Sequence, residues 1–148
     1  MGYTTHADCD LIGLGVSAIS HIGDSFSQNP RDLAGWEAAL DQGRLPVWRG
    51  LELDADDLLR GDVIQRLMCQ REIDVAAVER RYGIDFAEYF AAGLDRLQTL
   101  AEDGLVTIEA DRTAATSRGR LLLRIIAMCF DRYLNRQPDQ RPRYLRVI

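Results

Sequence analysis

The residues best suited to hold a small molecule lie early in the chain, in Asp10-Leu11-Ile12-Gly13-Leu14-Gly15-Val16-Ser17-Ala18-Ile19-Ser20. Gly13 and Gly15 let backbone approach a ligand closely or take positive φ. Ala18 keeps the path narrow, and Ile19 can offer only van der Waals contact or its backbone groups. The same small residues would equally serve to pack a strand against its neighbours, and residue type leaves both readings open. His6, His21, Asp8, Asp10, Asp24 and Cys9 surround this stretch without a metal-ligand spacing, so solvated or structural roles are expected and no general base is named. Cys9, Cys69 and Cys129 contain no C-x-x-C pair, which indicates neither a zinc module nor a disulfide framework. Cys69 and Cys129 fall on apolar helical stripes and are expected in a core.

The glycines need an element to carry them. Leu11, Ile12 and Leu14 form a short apolar run, as in a strand covered on both faces. Such a strand needs sheet neighbours, which the largely helical remainder does not obviously supply, so the chain is expected to be a piece of something larger. An extended segment should run from Ala18 toward Phe26, with Asn29-Pro30 as a turn and boundary. Arg31 to Gln42 reads as a helix stopped by Gly43, and Leu45 to Leu53 as extended.

From Asp54 the pattern turns helical. Asp54 can cap a helix whose apolar face is Leu58, Leu59, Val63, Ile64, Leu67 and Met68, with Gly61 costing about 1 kcal/mol relative to alanine. Asp74 opens a shorter helix that Gly83 ends. Asp85 with Glu88 forms a capping box before a helix from Phe86 to Asp103, closed by Gly104. Leu105–Glu109 and Thr113–Thr116 read as a hairpin. A last helix from about Ser117 carries the doublets Leu121/Leu122, Ile125/Ile126, Cys129/Phe130 and Tyr133/Leu134. The expected class is α+β, mainly α: residues 1–50 the end of one domain, residues 51–148 a helical, winged-helix-like domain. The third helix of such a module often enters a DNA groove. Here Glu88, Asp95, Glu102 and Asp103 face a single Arg96, which argues against nucleic acid.

Composition agrees with a globular chain of 148 residues, 47% hydrophobic and 28% charged, with net charge −5. No apolar run approaches the roughly 20 residues needed to cross a bilayer, so no membrane partner is expected and the cytoplasm is the default location. All 18 basic residues are arginine. Base composition of the genome accounts for that, and carboxylate recognition is the functional alternative.

Several separated motifs occur in one order: Gly2-Tyr3-Thr4-Thr5, Asp10 to Ser20, Ile22-Gly23-Asp24, Gln28-Asn29, Trp48-Arg49-Gly50, Asp62-Val63-Ile64, Asp103-Gly104-Leu105-Val106, Gly119-Arg120-Leu121-Leu122, Met128-Cys129-Phe130-Asp131 and Arg146-Val147-Ile148. In this order the chain resembles the C-terminal third of the oxygen-independent coproporphyrinogen III oxidase family, radical S-adenosylmethionine enzymes of haem biosynthesis. The resemblance implies that Leu11–Leu14 is the last strand of a partial β/α barrel, with ligands at the strand's C-terminal end. It implies a contribution of Ile19 to S-adenosylmethionine binding, with Gly13, Gly15 and Ala18 as further candidates. It implies a [4Fe-4S] cluster, held elsewhere by a C-x-x-x-C-x-x-C motif that this chain lacks. No catalytic or metal-binding residue is therefore assigned, and the isolated chain is expected to be inactive. The implied partners are the N-terminal barrel and coproporphyrinogen III, whose four propionates suit arginine; Arg49, Arg141, Arg143 and Arg146 are the candidates. The alternatives are the related haem-chaperone branch and a non-catalytic interaction module, which would have to hide its apolar strand.

Overall fold

The computed structural model describes residues 9–134. They form a mixed α+β arrangement of six helices and two small antiparallel sheets, within two compact units, Met1–Leu58 and Leu59–Ile148.

The first unit is built on a three-stranded sheet in the order β1 (Ile19–Ile22), β2 (Ser25–Gln28), β3 (Arg49–Glu52). The expected extended run from Ala18 to Phe26 is instead a hairpin, because Gly23, at φ +52°, reverses the chain. Between β2 and β3 lies helix α1 (Leu33–Asp41), where the Asp32 carboxylate accepts the Gly35 N–H at 2.7 Å. Asn29 is no boundary: it is buried within the unit.

Leu11–Leu14 is not a strand covered on both faces. Its ladder is a single bridge, Leu11 to His21, and Ile12 and Leu14 are 68% and 87% exposed. Gly15 at φ +92° and Ser17 at φ +56° turn the backbone off the sheet edge before a ladder can extend.

Helix α2 (Ala55–Gln70) begins with a reciprocal cap. The Asp57 N–H donates to Asp54 Oδ1 at 2.8 Å and the Asp54 N–H to Asp57 Oδ2 at 3.3 Å. The second unit continues with β4 (Glu72–Asp74), α3 (Val75–Tyr82), α4 (Phe86–Tyr89), α5 (Ala91–Glu102), β5 (Val106–Ile108), β6 (Arg112–Ala115), a 3₁₀ turn (Gly119–Leu122) and α6 (Leu123–Met128). Asp74 and Asp85 cap their helices as read from sequence, each accepting a backbone N–H at 2.8 Å. The expected hairpin is present and gains a third strand, in the order β4-β6-β5.

Two helix expectations need correction. The span from Phe86 to Asp103 breaks at Phe90, whose carbonyl accepts from both Gly93 and Leu94 at 2.8 Å. Phe86 and Phe90, four residues apart, meet with centroids 4.8 Å apart, and Phe90 meets Phe130 edge-on at 5.3 Å. The last helix is a 3₁₀ turn and six helical residues, so the doublets are buried unevenly: Cys129 and Phe130 both, Ile126 without Ile125, and neither Leu121 nor Leu122. Ile126 and Phe130 are fully buried, whereas Leu121 is 91% exposed. Gly119 fixes this turn against the β5 strand: a Cβ there would lie 1.8 Å from the Leu105 carbonyl oxygen.

Leu59, Val63 and Leu67 from α2, Ile73, Val78, Leu97 and Val106 complete the core around the three phenylalanines. Arginines seal its edge. Arg60 donates to the Phe130 carbonyl at 2.9 Å and lies over the Tyr89 and Phe90 rings, and Arg96 donates to the Cys129 carbonyl. Phe130→Ala should cost the second unit about 3–5 kcal/mol in urea unfolding. Leu121→Ala should change it by less than about 0.5 kcal/mol.

Candidate functional site

The four small-molecule candidates come together, and an asparagine joins them. Gly13 N–H donates to the Ser20 hydroxyl at 3.0 Å. A Cβ on Gly13 would stand 2.6 Å from the Ile19 carbonyl oxygen, closer than real Cβ contacts allow, so the two backbones touch. The Asn29 side-chain amide donates to the Gly15 carbonyl at 2.8 Å and, at 3.5 Å, reaches that of Gly13. The Asn29 backbone N–H donates to the Ala18 carbonyl at 2.9 Å, and the Ser17 N–H to the Pro30 carbonyl at 2.7 Å. Gln28 Nε2 adds a bond to the Ser17 carbonyl at 3.3 Å.

These bonds decide what the segment can offer a ligand. The carbonyls of Gly15, Ser17 and Ala18 are occupied by Asn29 and Gln28. The Ile19 side chain, 40% exposed at the start of β1, is the open surface. It supplies apolar contact and a fixed position, with no proton to move and no charge to stabilise. Ser20, Gln28 and Asn29 were not singled out as site residues from sequence, because each acts across the loop. The run Gln28-Asn29-Pro30 was the available signal.

The other candidates are structural. Asp10 accepts the Gly23 N–H at 2.9 Å, fixing the hairpin turn. His21 stacks on Phe26 at 4.3 Å, and its Nε2 is buried without a hydrogen-bond partner among the described residues. Cys9 is exposed, while the Cys69 sulfur accepts from Gln65 Nε2 at 3.1 Å. Burial pushes the Cys129 thiol above its ordinary range, opposed by the Arg96 guanidinium. Among the described residues no group of three histidines, cysteines or acids could hold a metal ion. His6, Asp8, Arg141, Arg143 and Arg146 lie outside the described residues. No helix among the described residues is long and apolar enough to cross a membrane. A shallow groove of about 270 Å³ in the second unit is lined by Arg71, Glu72, Arg112, Ser117 and Arg120 among others. There Arg112 pairs with Glu72, which raises its pKa further.

Gly13→Ala should displace the Ile19 backbone and shift the amide resonances of Ser20 and Asn29 well beyond those of residues outside this loop. Gly61→Ala, whose Cβ meets nothing within 4 Å, should leave them in place and stabilise α2 by about 1 kcal/mol.

Comparison with known proteins finds relatives of this chain. Residues 53–122 match the HemN C-terminal domain. The chain is 48% identical over 147 residues to the oxygen-independent coproporphyrinogen III oxidase of Salmonella typhimurium, covering 99% of this chain and 32% of that protein. It is 49% identical over 150 residues to the enzyme of the same name from Pseudomonas aeruginosa, again 99% of this chain and 32% of the relative. The solved structure of coproporphyrinogen III oxidase (HemN) from Escherichia coli, a radical SAM enzyme, superposes with a TM-score of 0.84 at 45% identity. The match covers 88% of this chain and 30% of that one. The chain thus spans about a third of the length of these relatives. Over nearly its whole length it corresponds to the C-terminal region of about 150 residues of these oxygen-independent coproporphyrinogen III oxidases.

Proposed function

We propose that this chain serves as the C-terminal third of an enzyme that oxidatively decarboxylates coproporphyrinogen III to protoporphyrinogen IX. The observation that carries the reading is an unfinished edge. Leu11, Ile12, Leu14 and Val16 are all at least 40% exposed, in a segment with one bridge to its sheet, within a chain whose relatives are three times as long. Covering such side chains is worth about 1.5–3 kcal/mol each. The N-terminal barrel of the same enzyme is the partner that would cover them, with Leu11–Leu14 becoming its last strand.

The division of labour follows from the residues. Cys9, Cys69 and Cys129 do not form a C-x-x-x-C-x-x-C spacing, and among the described residues no group of three histidines, cysteines or acids could hold a metal ion, so this chain's residues do not fit a [4Fe-4S] cluster and no step is assigned through one here. S-adenosylmethionine would supply the hydrogen-abstracting radical, in chemistry carried by the N-terminal part. Ile19 would hold the adenosine by contact, and Gly13, by admitting no side chain, would keep Ile19 where β1 sets it. The second unit has the helix, strand, helix, helix, hairpin order of a winged helix, and its role is that of a packing or lid element toward substrate. Neither nucleic acid nor membrane enters this reading.

The test is reconstitution. The chain is produced together with the Pseudomonas aeruginosa relative truncated where the similarity begins, and porphyrin formation is followed without oxygen. Neither part alone should turn over, the pair should, and Ile12→Asp should abolish association. Turnover by the chain alone, or two folded parts that do not associate, would contradict the reading.

A further inference from the structure

In the first unit, Ile19 is in register with Gln28, and Gln28 with Arg49, so that one row crosses all three strands. Residues directly opposite one another in antiparallel strands point to the same face, and two strand spacings put Ile19 and Arg49 about 10 Å apart. Gln28 fixes the row. Its Oε1 accepts Arg49 Nε–H at 2.9 Å, its Nε2 reaches the Ser17 carbonyl, and its own carbonyl accepts the Trp48 N–H at 2.8 Å. Among the described residues the Arg49 guanidinium has its Nε–H committed and makes no hydrogen bond through its two terminal nitrogens.

A second cation shares the platform. The guanidinium carbons of Arg49 and Arg31 lie 4.8 Å and 5.1 Å from the centroid of the Trp48 ring, and that indole is 54% exposed. Among the described residues neither guanidinium pairs with a carboxylate. Each is drawn to the π-face of the ring, while the two like charges repel one another. An anion held by Arg49 would offset that repulsion, and the fork of Arg49 suits the two oxygens of a carboxylate.

We propose that Arg49, with Arg31 as second cation and Trp48 as platform, is a carboxylate-binding subsite on the face that presents Ile19. The inference rests on the function proposed above, which supplies two sources of that group. These are the amino-acid carboxylate of S-adenosylmethionine and the propionates of coproporphyrinogen III. The subsite adds to Ile19 what Ile19 lacks, a charge-based anchor that sets which end of a ligand points along the sheet. Sequence alone gave Arg49 only charge complementarity. Register and the Gln28 bond give it a place.

The test uses the 148-residue chain itself and reads the side-chain Nε–H resonance of Arg49 and the indole N–H of Trp48. Coproporphyrin III is titrated against its neutral tetra-amide, and S-adenosylmethionine against 5′-methylthioadenosine, which lacks the carboxylate. At least one acid should shift both resonances saturably while its neutral counterpart does not, and the responding pair identifies the source. Arg49→Gln should weaken that binding about tenfold or more, the loss expected for a charge-assisted pair. Arg31→Gln breaks none of the sheet bonds described and should weaken it about threefold or more. It therefore decides the matter if Arg49→Gln proves to disturb the sheet. Acid and neutral forms that bind alike, no response to either acid, or unchanged affinity in Arg31→Gln would overturn the subsite. Because no N-terminal part and no turnover enter this readout, its failure is distinguishable from a failure of reconstitution.

Discussion

Asn29 is the joint on which the first unit depends. A backbone segment that leaves its sheet after one bridge exposes carbonyls that a neighbouring strand would otherwise satisfy. Asn29 supplies those partners from one buried residue, giving its side-chain amide to Gly15 and its backbone N–H to Ala18. Removing a partner of this kind costs about 1–3 kcal/mol per polar group left unsatisfied in a buried setting. The Asn29 side chain thus stands in for sheet structure. It keeps Gly13 against Ile19, and through Ile19 it orders the row that ends at Arg49.

The second unit solves a different problem with different means. Its stability rests on three phenylalanines, from α4, the α4–α5 break and the segment just after α6, closed by arginines that donate to the Cys129 and Phe130 carbonyls. Nothing in that core is reserved for chemistry. Cys129, the most reactive residue type within it, is held protonated by burial. The proposed ligand surface and the phenylalanine core therefore belong to separate units.

What sequence revealed follows the reach of each interaction. The caps at Asp74 and Asp85 and the β5–β6 hairpin were legible, because each is settled by hydrogen bonds within a few residues. The helix break at Phe90 was hidden, since the 3.6-residue period of its apolar side chains continues through it and only the demand of Phe130 for an edge-on partner separates the two pieces. The doublets from Leu121 promised a wide buried stripe, but their burial depends on how much core there is to meet: Leu121 and Leu122 both stay outside, while Cys129 and Phe130 are both buried. Strand β4 was missed because three residues carry no period of their own. At the site, Gly13, Gly15, Ala18 and Ile19 were readable from residue type and resemblance. Ser20, Gln28, Asn29 and the Arg31–Trp48 contact were not, as they arise from strand register, which no local window contains.

The account centres on a segment held by Asn29 in a form that still lacks a neighbour. Amide hydrogen exchange of residues 11–18 addresses that most directly, measured in the chain alone and after adding the N-terminal region of the Salmonella typhimurium relative. Exchange of Ile12, Leu14 and Val16 should be fast alone and slow by about tenfold or more on addition, while Leu67 and Ile126 stay unchanged. Protection already present in the chain alone, or no change when the N-terminal region is added, would contradict the account.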